Sequence, residues 1–496
     1  MRGVWVREGA GWLAATALAL IVAGQVASTA RSEMLFRDGD SLIVAMFVRS
    51  LFSGEPLDWA MSSVLFIPES AVFALLSALP LNVNGLLAVN AVVNVLGLYG
   101  ALRLAAGRRS PGRAPVAWSV IALGVFGLIA VTETSASRTS FEVASLLLTT
   151  TYYSATVIAM IASIGIVRRA LERPHLGWGA PLALAVIAAV SVLSNPLYAV
   201  WATAPLALLL AIGAWRQTLR RASILLIAAL GVGSVLGMAL RMPLEPWIMR
   251  SGAGYVQPGE WLASVQYYGD FALERLRTPL GILAGAVLLA LIAVAVVQTL
   301  RVREPGARLV AASAWLIPLA VVVGGIALGT HATRYLAPAA FAPLLALLVT
   351  PRAVRLPRPR VLIAAVAAAL LVAGVGSVPR LVAAAQHPDA DLACVTDWVA
   401  ASDRTGGGQF WTVRLPKLHA DDPSQLLQLH ATLDGYAWLV NRHDFQTREV
   451  TFLLEDAQSG AFQVPPGAVP DAVIECGRYR IVDFGSHPLP VGEPVS

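Results

Sequence analysis

Long apolar runs, broken by short arginine-bearing loops, fill most of the first 380 positions of the chain. The runs 12–30, 86–106, 115–131, 150–167, 181–193, 197–214, 224–240, 280–300, 310–328, 336–349 and 361–378 each read as a membrane-crossing helix. That makes eleven spans. A further run, 61–81, is interrupted by Pro68-Glu69 and ends at Pro80. After residue 380 the pattern changes to short alternating stretches with a Gly406–Gly408 turn, the mark of a small α/β domain. Strands are expected at 409–413, 436–440, 450–454, 472–476 and 479–484, and helices at 392–401 and 423–429. The fold class is therefore an α-helical polytopic membrane domain, 1–379, followed by an extracytoplasmic α/β domain, 380–496.

Charge orients this pattern. Cytoplasmic loops of membrane proteins carry an excess of Arg and Lys. If 61–81 stays external or re-entrant, the predicted inner segments hold 19 arginines against three acids, Glu8, Glu172 and Glu304. The reading that follows is a multi-pass protein of the cell membrane, with the N-terminus cytoplasmic and residues 380–496 outside. Run 12–30 is read as a retained anchor because no clear cleavage pattern follows it. Outside, the large pieces are a first loop, 31–83, and a mid-chain loop, 241–278. The run 41–52 is too short to cross and carries Arg49, so it is expected to lie in the membrane interface.

Composition agrees with this picture and narrows it. Hydrophobic residues make up 57% and charged residues 13%, about half the charged share of a soluble domain. Lys417 is the sole lysine. A pI near 9.6 reports membrane topology here rather than nucleic-acid binding. The two cysteines, Cys394 and Cys476, both fall in the outer domain, where a disulfide is plausible; two separate buried thiols are the alternative. No phosphate loop, HExxH or paired CxxC occurs, and the seven histidines are scattered, so no metal site is assigned.

Candidate chemistry gathers on the outer face. Asp38 and Asp40 flank Gly39 in the first loop, with Arg37 beside them and Glu69 further on. Arg138, Arg241 and Arg275 lie in other external loops, and His331, Arg334 and Tyr335 precede the tenth span. A carboxylate can take a proton from an acceptor hydroxyl while guanidiniums hold a phosphate leaving group bidentately. Each residue also has a plainer role available. Asp40 would serve as a helix N-cap and Asp38 as a turn residue. Arg241 and Arg275 would snorkel to headgroups. Trp398, Trp411 and Trp438 would be core, or else platforms for sugar rings.

The layout resembles the GT-C superfamily of polytopic glycosyltransferases. One span is followed by an acidic external loop, here FRDGDSL, then by juxtamembrane helices, some eleven spans and a polar outer domain; HATRYLAPAAFAPLLALL resembles the arginine-tyrosine span start of several members. The resemblance is one of layout, since family members often carry adjacent acids in place of Asp-x-Asp. It implies transfer of a sugar from a polyprenyl-phosphate carrier to an extracytoplasmic glycan, lipid or protein. Asp38 or Asp40 would then match the catalytic acid, and Arg334, or Arg138, Arg241 or Arg275, would hold the lipid phosphate. Whether a divalent metal assists is left open. The rival readings are a lipid-linked-glycan polymerase or ligase, a transporter or flippase, and a non-catalytic envelope assembly subunit.

Overall fold

The computed structural model describes residues 2–173, 175–215, 220–249, 252–353, 359–485 and 487–496. Arg216, Arg250, Arg355 and Arg358 lie outside the described residues. The molecule is 65% helical. Among the described residues, seven helices are long and apolar enough to cross a bilayer: Trp5–Ala27, Val83–Ala105, Ser154–Leu171, Arg220–Ala239, Pro279–Arg301, Pro305–Ala327 and Ala364–Ala385. The other four expected spans form shorter apolar elements, at Pro115–Val131, Gly179–Ser194, Ala199–Trp215 and Thr333–Leu348. Outward-facing valines and leucines such as Val235, Leu289 and Val372 are more than half exposed, a surface suited to lipid rather than water.

Small residues set how closely these helices pack. Gly233 and Gly237, one turn apart on Arg220–Ala239, lie against Gly179–Ser194. A Cβ at either would approach Ala188 Cβ or Val192 Cβ to 2.9 Å, so the pair works as a small-xxx-small seam. Gly24 meets Ser377, and Ala17 meets Gly374, which aligns the first and last long helices in parallel. Their C-terminal ends therefore leave the bundle together, and the first loop and the C-terminal module emerge side by side.

Three expectations change. Stretch 61–81 is helical only at Ile67–Leu76; ahead of it Trp59–Ala60 runs extended and pairs antiparallel with Val440–Asn441 of the C-terminal module. Run 41–52, expected on the membrane surface, becomes helix Ile43–Ser53, whose Ile43, Val44, Met46 and Val48 are buried in protein. Arg49 in this helix donates to the Leu418, Ala420 and Asp421 carbonyls at the end of helix Phe410–His419. A C-terminal helix end collects cations in this way, so the arginine is absorbed by the module rather than by headgroups. The tenth expected span is broken into Thr333–Leu336, Pro338–Phe341 and Ala342–Leu348, because Pro338 and Pro343 remove backbone donors. It is buried almost throughout and forms part of the bundle core.

The C-terminal module holds a five-stranded sheet ordered Leu426–Gln428, Gly406–Gly408, Phe452–Glu455, Tyr479–Asp483, Ala472–Cys476. The first three strands are parallel and the last two antiparallel to their neighbours. Here too the sequence reading is corrected. Of residues 409–413, Gln409 is the N-cap and the rest belong to helix Phe410–His419, and the strand is the glycine run before it, over which the side chains of Phe452 and Leu429 fold. Stretch 423–429 is helical only in the short 3-10 turn Pro423–Gln425 and continues as a strand, Leu426–Gln428. Cys394 of helix Ala390–Ser402 is bonded to Cys476 at the sheet edge, as a disulfide.

Candidate functional site

A cavity of about 220 Å³ opens where the first loop, the broken helix and the C-terminal module meet. Asp40, Arg334 and Tyr335 line it, as do Ser62, Ser63, Phe66, Tyr152, Tyr153 and Tyr255 of the helical domain. Phe410, Trp411, Tyr436, Trp438 and Leu439 of the C-terminal module close it over. A second, mostly apolar cavity of about 260 Å³ lies beside it, among Val200, Trp201, Val321, Gly324, Gly325 and Leu328. Ser63, Val64, Tyr153, Tyr255 and Tyr335 are wall to both.

The two aspartates separate here. Asp40 does not cap the helix that follows, whose N-cap is Leu42 with no side-chain bond. Its carboxylate faces the cavity. Asp38 points inward: its Oδ1 accepts from the Tyr152 hydroxyl at 2.9 Å and from the Ser41 N–H at 3.3 Å. Arg138 reaches its Oδ2 at 3.6 Å. Burial, and then the charge of Asp40, push the Asp38 carboxyl up to about 6. Gly39 between them allows a close approach: a Cβ there would meet Trp411 at 3.1 Å and Arg414 at 3.2 Å.

Arg334 stands at the start of the broken helix, in the field of both Asp40 and Tyr153. Tyr153 stacks on Tyr335 with 6.3 Å between ring centroids. Tyr153, Phe66 and Leu439, all on the cavity wall, have φ of 66°, 50° and 53°. For residues with side chains this conformation costs on the order of 1–3 kcal/mol each, and such strain concentrates at working sites.

The other candidate residues are placed elsewhere. Arg241 donates to the Leu193 and Ser63 carbonyls, both at 2.7 Å, and so braces a cavity wall from behind. Arg275 ties Glu142 at 2.8 Å to Thr132. Neither snorkels freely. Arg138 lies 3.4 Å over the Trp411 ring while reaching Asp38, which joins the loop 132–148 to the module. Glu69 is buried; one oxygen accepts from the Ala155 N–H and the other has no partner. Arg37 pairs with Glu33 at 2.8 Å and Asp389 at 3.3 Å. His331 sits on the exposed rim, 3.8 Å from Glu260. Among the described residues no three His, Cys, Asp or Glu side chains gather as a metal cage.

Sequence reasoning weighed Trp398, Trp411 and Trp438 as core or as sugar platforms, and passed over Tyr152, Tyr153, Tyr255, Phe410 and Tyr436 in the lining. Trp398 does pack as core, edge-on to Phe452 at 4.9 Å, but Trp411 and Trp438 face the cavity. The signal available was the Tyr152-Tyr153 pair just before a span and Ser62-Ser63 beside an interrupted one. The chain matches no protein-family model, and no curated protein matches it in sequence.

Proposed function

We propose that this chain is a membrane glycosyltransferase of GT-C type, moving a sugar from a polyprenyl-phosphate carrier to an extracytoplasmic acceptor. In this reading the chain crosses the cell membrane eleven times and presents the C-terminal module outside. One observation carries the proposal. Among the described residues, one carboxylate and one arginine line a partly polar cavity, and that cavity shares a wall with an apolar one between the helices. A lipid-linked phosphate needs such a pair of spaces: a cation for the phosphate and an apolar slot for the first isoprene units.

The chemistry follows from where the charges sit. Arg334 binds the phosphate oxygens, and its planar fork suits them. Asp40 accepts the proton of the acceptor hydroxyl as that oxygen attacks the anomeric carbon. The bond from this carbon to the phosphate oxygen breaks, and its electrons leave on the polyprenyl phosphate, whose added charge Arg334 stabilises. The leaving group departs as an anion, so no proton donor is required. Among the described residues one carboxylate lines the cavity, which favours a single displacement with inversion. The aromatic roof, Trp411 and Trp438 above all, offers flat apolar faces to a sugar ring.

Binding tests the donor half of this reading. Purified protein in nanodiscs should take up polyprenyl phosphate, followed by native mass spectrometry. Arg334→Gln should weaken that uptake by roughly 10–100-fold, as expected for losing a charged hydrogen-bonding partner. Unchanged uptake by the variant would count against Arg334 as the phosphate ligand.

A further inference from the structure

Arg414 is the most unusual charge in the molecule. It lies on helix Phe410–His419 of the C-terminal module and is fully buried. Its Nη2 donates to the Leu439 carbonyl at 3.0 Å, while Nε and Nη1 have no hydrogen-bond partner. The guanidinium lies 4.5 Å from the Phe410 ring, and its stem presses on Gly39. Among the described residues no carboxylate pairs directly with it. A buried cation without a partner is expensive unless opposite charge stands close by. That charge is Asp40 first and Asp38 second, each acting through space. Burial pushes the Arg414 guanidinium down to about 10, which still leaves it cationic at neutral pH.

We infer that Arg414 is a positioning residue of the catalytic centre: it holds the Asp38–Gly39–Asp40 turn against the C-terminal module and sets a positive charge near Asp40. The module is then part of the active site, and not a separable acceptor-binding accessory. This rests on the reading of Asp40 as the general base. Other groups also face Asp40. Arg334 adds a second cation from the broken helix, Tyr152 and Tyr153 face it from the turn just before helix Ser154–Leu171, and Asp38 opposes it from its own loop. Arg138 spends its charge on Asp38. Arg414 is the one cation that the C-terminal module brings to Asp40 among these groups.

The test is the pH profile of sugar transfer by the full chain in proteoliposomes, for wild type, Arg414→Lys, Arg414→Met and Asp40→Asn. Removing a neighbouring cation makes a carboxylate harder to ionise, commonly by one to three pH units. Arg414→Met should therefore move the acidic limb up by about one unit and lower transfer by about tenfold at pH values below that limb. Arg414→Lys keeps the charge and should keep the wild-type limb. A limb that stays in place in Arg414→Met would overturn the inference, as would a lysine variant as impaired as the methionine one, because shape and not charge would then matter. Transfer lost in Arg414→Met but retained with the wild-type limb in Arg414→Lys would support it. Full activity of Asp40→Asn would instead sink the general-base reading itself.

Discussion

Asp38 and Asp40 are two positions apart and have opposite fates. The acid–glycine–acid turn sends one side chain into protein and the other into the cavity, and the sequence contains nothing that says which. Their location beside arginines on one face was legible, because charge is rare in this chain and concentrates in loops. Burial was not legible, because Tyr152, Arg138 and Arg414 arrive from segments about 100 to 375 residues away. Asp38 makes a prediction of its own. Its carboxyl titrates near 6 in the folded protein, against about 3.8 unfolded, so the folded state holds the extra proton between those values. Stability should fall as pH rises from about 4 to 6 and stay lower above that. Asp38→Asn removes the penalty and should be more stable than wild type at pH 7 by about 1–3 kcal/mol. The gap should close below pH 4, measured by thermal unfolding in detergent.

At the scale of elements, hydrophobic runs and arginine breaks gave helices close to those observed, since length and apolarity are local properties. The failures share a cause. Trp59–Ala60, Gly406–Gly408 and Leu426–Gln428 are strands of two or three residues, specified by partners distant in sequence rather than by their own alternation. The loop 132–148 shows how such distant contacts fix an element with little secondary structure. Arg31, buried, donates to Ser145 Oγ at 2.8 Å, to the Ser135 and Ser137 carbonyls at 3.0 Å each, and to the Glu142 carbonyl. Glu133 accepts from the Ala144 and Ser145 N–H groups at 3.0 and 2.7 Å. This clamp carries Arg138 to Asp38. Arg31→Met leaves three carbonyls and a hydroxyl without their donor and should destabilise the fold by about 3 kcal/mol or more. Limited proteolysis should then cut within 132–148 in the variant and spare the wild type; a variant as resistant as wild type would contradict the clamp.

For the whole molecule, the parallel pairing of the first and last long helices has the widest consequence. It sets the acidic first loop under a module that begins some 330 residues later in the chain. The strand pair Trp59–Ala60 with Val440–Asn441, the Arg49 contacts and the Arg442–Asp58 ion pair then stitch the two together. Both cavities depend on that arrangement: the helices provide the apolar space, the loop its acid, the broken helix its arginine and the module its aromatic cover. The account stands most directly on sugar transfer by purified protein in proteoliposomes, supplied with labelled polyprenyl-phosphate sugars and a cell-envelope extract as acceptor. The wild type should convert label from lipid to acceptor, and Asp40→Asn should lose that conversion by about 100-fold or more while inserting and unfolding like the wild type. Equal transfer by the two proteins would contradict it.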